Sequence, residues 1–156
     1  MGLNNCPKLV SIDGLERATQ LMDISLHDMA GFEGFAGLGK VKALDAVSIS
    51  KCPKLNSVDW LPPSVRELTV IQCPNLQSLD HLRSLKKLYY LWVDEEAEGP
   101  VPKEEVDQLV NDLIDQLSVF YGPEDLKAKF VEARKLRKKR KKQIPKSNPT
   151  ADVGSR

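Results

Sequence analysis

The chain has 156 residues, which suits one domain and a short tail, and its 41% hydrophobic content is sufficient for a buried core. No apolar run approaches the roughly 18 residues of a membrane-spanning helix, and the first residues lack the charged and apolar regions of a signal peptide. The net charge of +1 conceals an uneven distribution. Residues 1–122 carry 11 Lys or Arg against 18 Asp or Glu, whereas residues 123–156 carry 12 against 4. We therefore expect an acidic body, a basic C-terminal part with its own electrostatic role, and no membrane partner.

One apolar pattern, Leu-x-x-Leu-x-Leu-x-x-Cys with conservative replacements, recurs four times before residue 94. Its positions are held by Leu21, Ile24, Leu26 and Met29; by Leu44, Val47, Ile49 and Cys52; by Val65, Leu68, Val70 and Cys73; and by Leu88, Leu91 and Val93. The copies are 21 or 23 residues apart. This pattern is typical of a leucine-rich repeat, in which each copy contributes one short strand and stacked copies share a core.

The repeats predict an α/β fold, namely a short leucine-rich-repeat solenoid over residues 1–95. Strands are expected near 22–26, 45–49, 66–70 and 89–93, side by side in a parallel sheet on the concave side, with mostly irregular return segments. The chain begins in the middle of a repeat, because Leu3 stands three residues before Cys6, where the last strand leucine belongs. About four repeats are therefore expected.

The C-terminal third has a different pattern. Residues 96–101 form an acidic, proline-containing linker. Apolar residues then recur at intervals of three and four, which predicts an amphipathic helix over 102–121. A Gly-Pro step ends this helix and begins a second one that becomes strongly basic. The two helices together span 102–142, and residues 143–156 are predicted to be disordered.

The three cysteines, Cys6, Cys52 and Cys73, occupy the same place in their repeats, at the bend after a strand. A buried thiol at this position packs as a small apolar residue. We therefore favour reduced structural thiols over a disulfide or a metal site. Reduced thiols indicate a reducing compartment, so the expected location is cytoplasmic, nuclear or both.

The segments CPKLNSVDWLPPSVRELTVIQCPNLQSLDHLRSLKKLYYLWV and NCPKLVSIDGLERATQLMDISL carry a recurring Cys-Pro-x-Leu step followed by Leu-x-x-Leu. In this the chain resembles the repeats of plant nucleotide-binding leucine-rich-repeat disease-resistance receptors, over roughly residues 3–93. The resemblance implies a role in plant defence, in which the repeats bind an effector or a host protein. It covers only the repeat portion of such receptors.

Strand residues that alternate with the leucines point away from the core and form the concave face. This face is the predicted protein-binding surface, and we expect it to use Asp23, Ser25, His27, Ser48, Glu67, Thr69, Tyr90 and Trp92. The last two are aromatic residues of the kind enriched at binding hot spots. Whether the C-terminal helix covers them as a cap is left open by the sequence.

Two other features hint at chemistry but are read as structural. Gly34 to Lys40, GFAGLGK, fits the spacing of a phosphate-binding loop, yet Val41 stands where a Ser or Thr would ligate magnesium. His27 and His81 have no nucleophile or metal-ligand cluster in the repeat frame. We therefore expect a non-enzymatic protein with no cofactor and no metal.

Residues 134–142, RKLRKKRKK, carry eight positive charges in nine positions. The charged residues are Arg134, Lys135, Arg137, Lys138, Lys139, Arg140, Lys141 and Lys142. The favoured interpretation is a nuclear localisation signal, with a nuclear import receptor as a partner. A nucleic-acid-binding arm and a merely solvated end are the alternatives. The sequence thus predicts a protein-recognition module, with a nuclear leucine-rich-repeat protein whose basic tail binds RNA or DNA as the alternative function.

Overall fold

The structure is a computed structural model that describes residues 1–94, apart from positions 7, 10, 11, 13 and 35, and residues 101–143. In this part of the chain, six strands form one open sheet in the order β1 to β6, and all neighbouring strands are parallel. The strands are β1 Gly2–Asn4, β2 Asp23–His27, β3 Ala46–Ser50, β4 Glu67–Ile71, β5 Tyr90–Val93 and β6 Val119–Tyr121. Two α-helices, α1 Lys103–Asp112 and α2 Glu124–Gln143, lie after β5. The predicted α/β class with a parallel sheet is confirmed.

The strands pair so that equivalent positions of successive repeats lie side by side. The aligned apolar positions form two rows, Ile24, Val47, Leu68, Leu91 and Phe120, and Leu26, Ile49, Val70 and Val93. All of these side chains are buried. Because successive strand residues point to opposite sides of a sheet, a shift of one residue would expose a whole strand's apolar set. The alternating pattern therefore sets the register.

The segments between the first five strands return through turns and three short 3-10 helices, Leu15–Arg17, Ala36–Lys40 and Asp80–Ser84. Apolar residues recur every three positions along these segments, which matches the three-residue turn of a 3-10 helix. Leu76, Leu79 and Leu82 are the buried set between β4 and β5, and Leu55, Val58 and Leu61 are their equivalents between β3 and β4. These residues and the apolar face of the sheet form one continuous core.

Each of the first four strands is followed directly by a residue with left-handed backbone conformation. These residues are Asn5, Asp28, Lys51 and Gln72, with φ between 51° and 55°. A non-glycine residue in this region costs roughly 1–2 kcal/mol, with Asn and Asp the best tolerated. The same bend therefore recurs after each strand despite different side chains, because the shared register demands it.

The residue after each bend turns inward, and this is the position of the three cysteines. Cys52 and Cys73 are buried and Cys6 is half-buried, and all three are free thiols. The Sγ of Cys73 lies 3.4 Å from the carbonyl oxygen of Ile71, at the end of its own strand. A hydrogen bond with Cys52, together with burial, raises the pKa of the Cys73 thiol far above its ordinary value. Cys73 therefore stays protonated and packs as a core residue.

The helix predicted over 102–121 is wrong in its second half. Helix α1 ends at Asp112, and Val119–Tyr121 forms strand β6 beside β5. The spacing of Leu113, Leu117 and Phe120 fits a helix, but these residues are also buried from two turns and a strand. Because β5 would otherwise leave its backbone groups unpaired at the sheet edge, pairing with β6 outweighs continuation of the helix.

Helices α1 and α2 are attached to the last repeat by specific contacts. The Oε1 of Glu105 in α1 accepts hydrogen bonds from the Ser78 hydroxyl at 2.8 Å and the Leu79 amide at 3.0 Å. In α2, Phe130 packs on Phe120 of β6 with ring centroids 5.7 Å apart. Leu126 of α2 is buried as well. The N-terminal half of α2 thus belongs to the core.

The predicted linker and tail fall largely outside the described residues. Of the linker at 96–101, the structure describes only residue 101, and of the tail at 143–156 it describes only residue 143, the last of α2. Both predictions stay predictions.

We expect Leu68→Ala to lower the free energy of unfolding by about 2–5 kcal/mol, because Leu68 is 0% exposed in the central rows of the core. Urea denaturation followed by circular dichroism measures this change. Thr69→Ala is the matched control, because Thr69 is the next residue on β4 and lies on the opposite side of the sheet. A loss below about 0.5 kcal/mol for Leu68→Ala would contradict the register.

Candidate functional site

The side of the sheet opposite the core is named here the solvent face. Its residues align in three rows across the strands, which are Asp23, Ala46, Glu67, Tyr90 and Val119; Gly2, Ser25, Ser48, Thr69, Trp92 and Tyr121; and Asn4, His27, Ser50 and Ile71. The eight residues predicted as a binding surface all lie on this face. The register brings them together because each is one position away from a buried strand residue.

A shallow groove of about 380 Å³ runs over the solvent face between β1 and β5. Six of the predicted residues line it, namely Asp23, Ser25, Ser48, Glu67, Thr69 and Tyr90. Its floor is low over β3 because Ala46 and Ser48 have small side chains. The larger side chains of Asp23 on β2, Glu67 on β4 and Tyr90 on β5 border this floor. The shape of the groove is therefore explained by the small residues on β3 and the larger residues on either side of it.

The groove is acidic. Its strand residues include Asp23 and Glu67 and no Lys or Arg. Neither carboxylate forms a salt bridge with any residue that the structure describes. Glu67 accepts a hydrogen bond from the Tyr89 hydroxyl, which raises the pKa of that tyrosine. At the β1 end, the Met1 ammonium group donates a hydrogen bond of 2.7 Å to the backbone oxygen of Asp23.

An aromatic cluster formed by Tyr90, Trp92 and Tyr121 occupies the β5–β6 end of the solvent face. The Tyr121 ring lies 5.9 Å from that of Tyr90 and 5.6 Å from that of Trp92. The Nζ of Lys127, in α2, stands 5.7 Å from the centre of the Tyr121 ring. Burial is the main factor that raises the pKa of Tyr90, with smaller effects from Tyr121 and Glu67.

Tyr121 is the residue of this cluster that sequence reasoning missed. Its position had been assigned to a helix, so its place beside Trp92 could not be foreseen. The available signal was the run Val119, Phe120 and Tyr121, since β-branched and aromatic residues are enriched in strands. The contacts of Tyr90 and Trp92 are therefore with a strand, and α2 reaches the cluster through Lys127.

The histidines have local hydrogen-bond partners. Nδ1 of His27 lies 2.6 Å from the Ser50 hydroxyl on the next strand, and Nε2 of His81 lies 3.0 Å from the backbone oxygen of Leu61. Among the described residues, no group of three His, Cys, Asp or Glu side chains is placed to hold a metal ion. These histidines connect neighbouring repeats.

The glycine-rich segment GFAGLGK packs against the next repeat. Its described residues Ala36–Lys40 form a 3-10 helix, and Val41 is buried. Gly34 has a φ of 140°, and a Cβ there would lie 3.1 Å from Nε1 of Trp60. A phosphate-binding loop instead joins a strand to an α-helix. The glycines thus permit close packing on Trp60, beside an open groove of about 560 Å³ bordered by Pro62 and Pro63.

The basic run forms the C-terminal half of helix α2. Arg134, Lys135, Arg137, Lys138 and Lys139 lie on this helix, whereas the side chains of Arg140, Lys141 and Lys142 are outside the described part. Arg137 pairs with Asp115 at 2.5 Å, and the Arg134 guanidinium stands 5.6 Å from the Phe130 ring centre. Leu136 is 52% exposed. Among the described side chains of the run, Lys135, Arg137, Lys138 and Lys139 are exposed and Arg134 is half-buried.

Comparison with protein-family models and with curated proteins finds no match for this chain. In the described residues, neither α-helix is sufficiently long and apolar to span a membrane.

We expect Tyr121→Ala to lower the free energy of unfolding by about 1–2 kcal/mol. The substitution removes two aromatic pairs worth roughly 0.5–1.5 kcal/mol each. The loss stays modest because the Tyr121 side chain is only partly buried. Tyr121→Phe is the matched control and should cost less than about 0.5 kcal/mol. Urea denaturation checks both variants. Equal stability of Tyr121→Ala and the parent would show that the cluster contributes nothing to the fold.

Proposed function

We propose that residues 1–95 are a leucine-rich-repeat solenoid and that the chain is a non-enzymatic module that binds a protein partner on its concave face. The recurring strands support the solenoid, because segments 21 or 23 residues apart pair in the same register and end in the same left-handed bend. Such repeats stack with neighbours and form an extended binding surface. The solvent face is that surface in this proposal.

The observation that carries the binding role is the juxtaposition of the acidic groove and the aromatic cluster on one rigid sheet. Tyr90 belongs to both, because it borders the groove and contacts Tyr121. Tyr and Trp dominate binding energy at protein interfaces when water-excluding polar residues surround them. Rigid strands present them with little loss of side-chain freedom on binding.

The resemblance of the repeats to plant disease-resistance receptors supports a role in defence. In this proposal the partner is an effector or a host protein, and the repeats act as its sensor. The resemblance covers roughly residues 3–93, a range that includes β2 to β5, and these four strands all contribute residues to the groove.

A photoreactive amino acid in place of Ser48 or Thr69 tests the binding face in cells. Both residues line the groove, so we expect the two positions to capture the same partner. The control position is Lys54, which is exposed in the connection between β3 and β4. A further variant, Trp92→Ser, should weaken capture from Ser48, because the aromatic cluster contributes to the same interface. Capture from Lys54 alone, or none at all, would reject the concave face as the site.

We further propose that the basic part of α2 directs the protein to the nucleus through an import receptor. The exposure of this helix end supports access by a receptor. The ion pair of Arg137 with Asp115 joins side chains that are 44% and 61% exposed. An exposed pair of this kind contributes about 0–1 kcal/mol, so the helix end is free to bind elsewhere.

We expect a fluorescent fusion too large for passive entry to leave the nucleus when all eight basic residues at 134–142 are replaced by Gln. The melting temperature should hardly change, because few contacts are lost. A charge-preserving variant with each Lys in 134–142 changed to Arg is the control, and it should stay nuclear. An unchanged distribution of the Gln variant would remove the localisation role, and a large drop in melting temperature would show that the run is structural.

The alternative function, RNA or DNA binding by the same helix, has a distinct signature. Phosphate contacts release counterions, so affinity for mixed-sequence nucleic acid would fall steeply with salt. The described part of the run has no aromatic side chain for base stacking, which disfavours single-strand recognition. Retention of nuclear import in a variant that no longer binds nucleic acid would separate the two functions.

A further inference from the structure

We propose that the groove on the solvent face selects a positively charged segment of its partner, with a Lys or Arg side chain seated between Asp23 and Glu67. This inference rests on the proposed function and specifies the chemistry of the partner. It is based on the position of the two carboxylates relative to the groove floor and on the aromatic cluster beside them.

The two carboxylates stand on opposite sides of a low point in the groove. Asp23, Ala46 and Glu67 form one row across β2, β3 and β4. Strands lie about 4.8 Å apart, so the two acidic residues are separated by roughly 10 Å with only a methyl group between them. A guanidinium or ammonium group seated above Ala46 would lie between two carboxylates, and its alkyl stem would cover the small floor.

The next residue in that row strengthens the preference for a cation. Tyr90 pairs with Glu67, and its ring belongs to the aromatic cluster. Aromatic faces attract Lys and Arg side chains within about 6 Å of the ring centre. The protein already shows this contact at the edge of the cluster, where Lys127 approaches Tyr121. A partner's basic side chains would thus meet carboxylates over β3 and ring faces over β5.

The surrounding charges favour a basic partner over an acidic or neutral one. Neither Asp23 nor Glu67 has a salt-bridge partner in the described residues. Glu67 uses Oε1 to accept a hydrogen bond from the Tyr89 hydroxyl, which leaves its negative charge without a cationic partner. The whole chain has a net charge of +1, but residues 1–122, which include every residue of the groove, have a net charge of −7. Close to the groove this charge would attract a basic segment and repel an acidic one. Met1 also lines the groove at its β1 end, where its ammonium group donates to the backbone oxygen of Asp23 and not to the carboxylate.

Titration of the isotope-labelled full chain with three unlabelled peptides of equal length, alternating Arg and Ser, Glu and Ser, or Gly and Ser, tests the selection by nuclear magnetic resonance. We expect only the Arg peptide to bind, with amide shifts that centre on Ser48 and Thr69 in the groove. Shifts spread over the acidic surface, or equal binding of the Gly peptide, would overturn the proposal.

The matched variants separate the groove from general charge attraction. Asp23→Asn combined with Glu67→Gln should weaken the Arg peptide by about tenfold. Asp59→Asn combined with Glu104→Gln removes the same charge from two exposed residues outside the groove and should change binding by less than about twofold. Ser48→Arg places a large, positively charged side chain in the groove and should abolish binding. Because this variant keeps both carboxylates, its loss of binding tests the groove even if the first double variant misfolds. Equal effects of the two double variants would overturn the proposal.

A further arm identifies the source of the basic segment. If the basic run of a second copy occupied the groove, the full chain with Gln at all eight basic positions of 134–142 would bind the Arg peptide much more tightly and lose any self-association. That result would overturn a partner-protein source of the basic segment, whereas unchanged affinity for the Arg peptide supports it.

The photocapture experiment separates this inference from the proposed function. A captured segment without Lys or Arg would overturn the inference and leave the proposed function intact, because capture itself tests only whether the solvent face binds a partner.

Discussion

The register of the parallel sheet is the constraint on which the rest of this structure depends. Every strand from β2 to β5 places its apolar positions beside those of the previous strand, and the repeat spacing of 21 or 23 residues keeps them aligned. Because side chains alternate, the same alignment decides which residues are buried and which form the solvent face. The left-handed bends after the strands are accepted at an energetic cost because they return the chain in this register.

The charge and polarity of the solvent face are therefore set by the strand residues that alternate with the buried apolar residues. Along the row from β2 to β5, the side chains change from a carboxylate to a methyl group, a second carboxylate and a phenol ring. None of these residues is required by the core, since their neighbours on each strand supply the buried surface. The proposed binding role would use the acidic and aromatic side chains that this face combines.

The repeat strands were predictable because their signal is both local and periodic. The strand predicted near 66–70 forms at Glu67–Ile71, and that near 45–49 forms at Ala46–Ser50. Strand β6 was not predictable in the same way, because it lacks the repeat pattern and its apolar spacing also fits a helix. Its formation depends on the open edge of β5, a tertiary feature that no window of sequence contains. For the same reason, Tyr90 and Trp92 of the aromatic cluster were predicted as surface residues and Tyr121 on β6 was not.

The helices at the β6 end of the sheet carry the second proposed role of the chain, localisation. At the β6 end, α1 and α2 cover the last repeat, with Glu105 bonded to the β4–β5 connection and Phe130 packed on Phe120. The apolar residues of α2 that are buried in this packing, Leu126 and Phe130, precede its basic half. A helix anchored at one end and charged at the other can present its basic residues without weakening the core. Since the groove lies on the sheet and the basic residues lie on α2, the proposed partner binding and the proposed localisation would use separate surfaces.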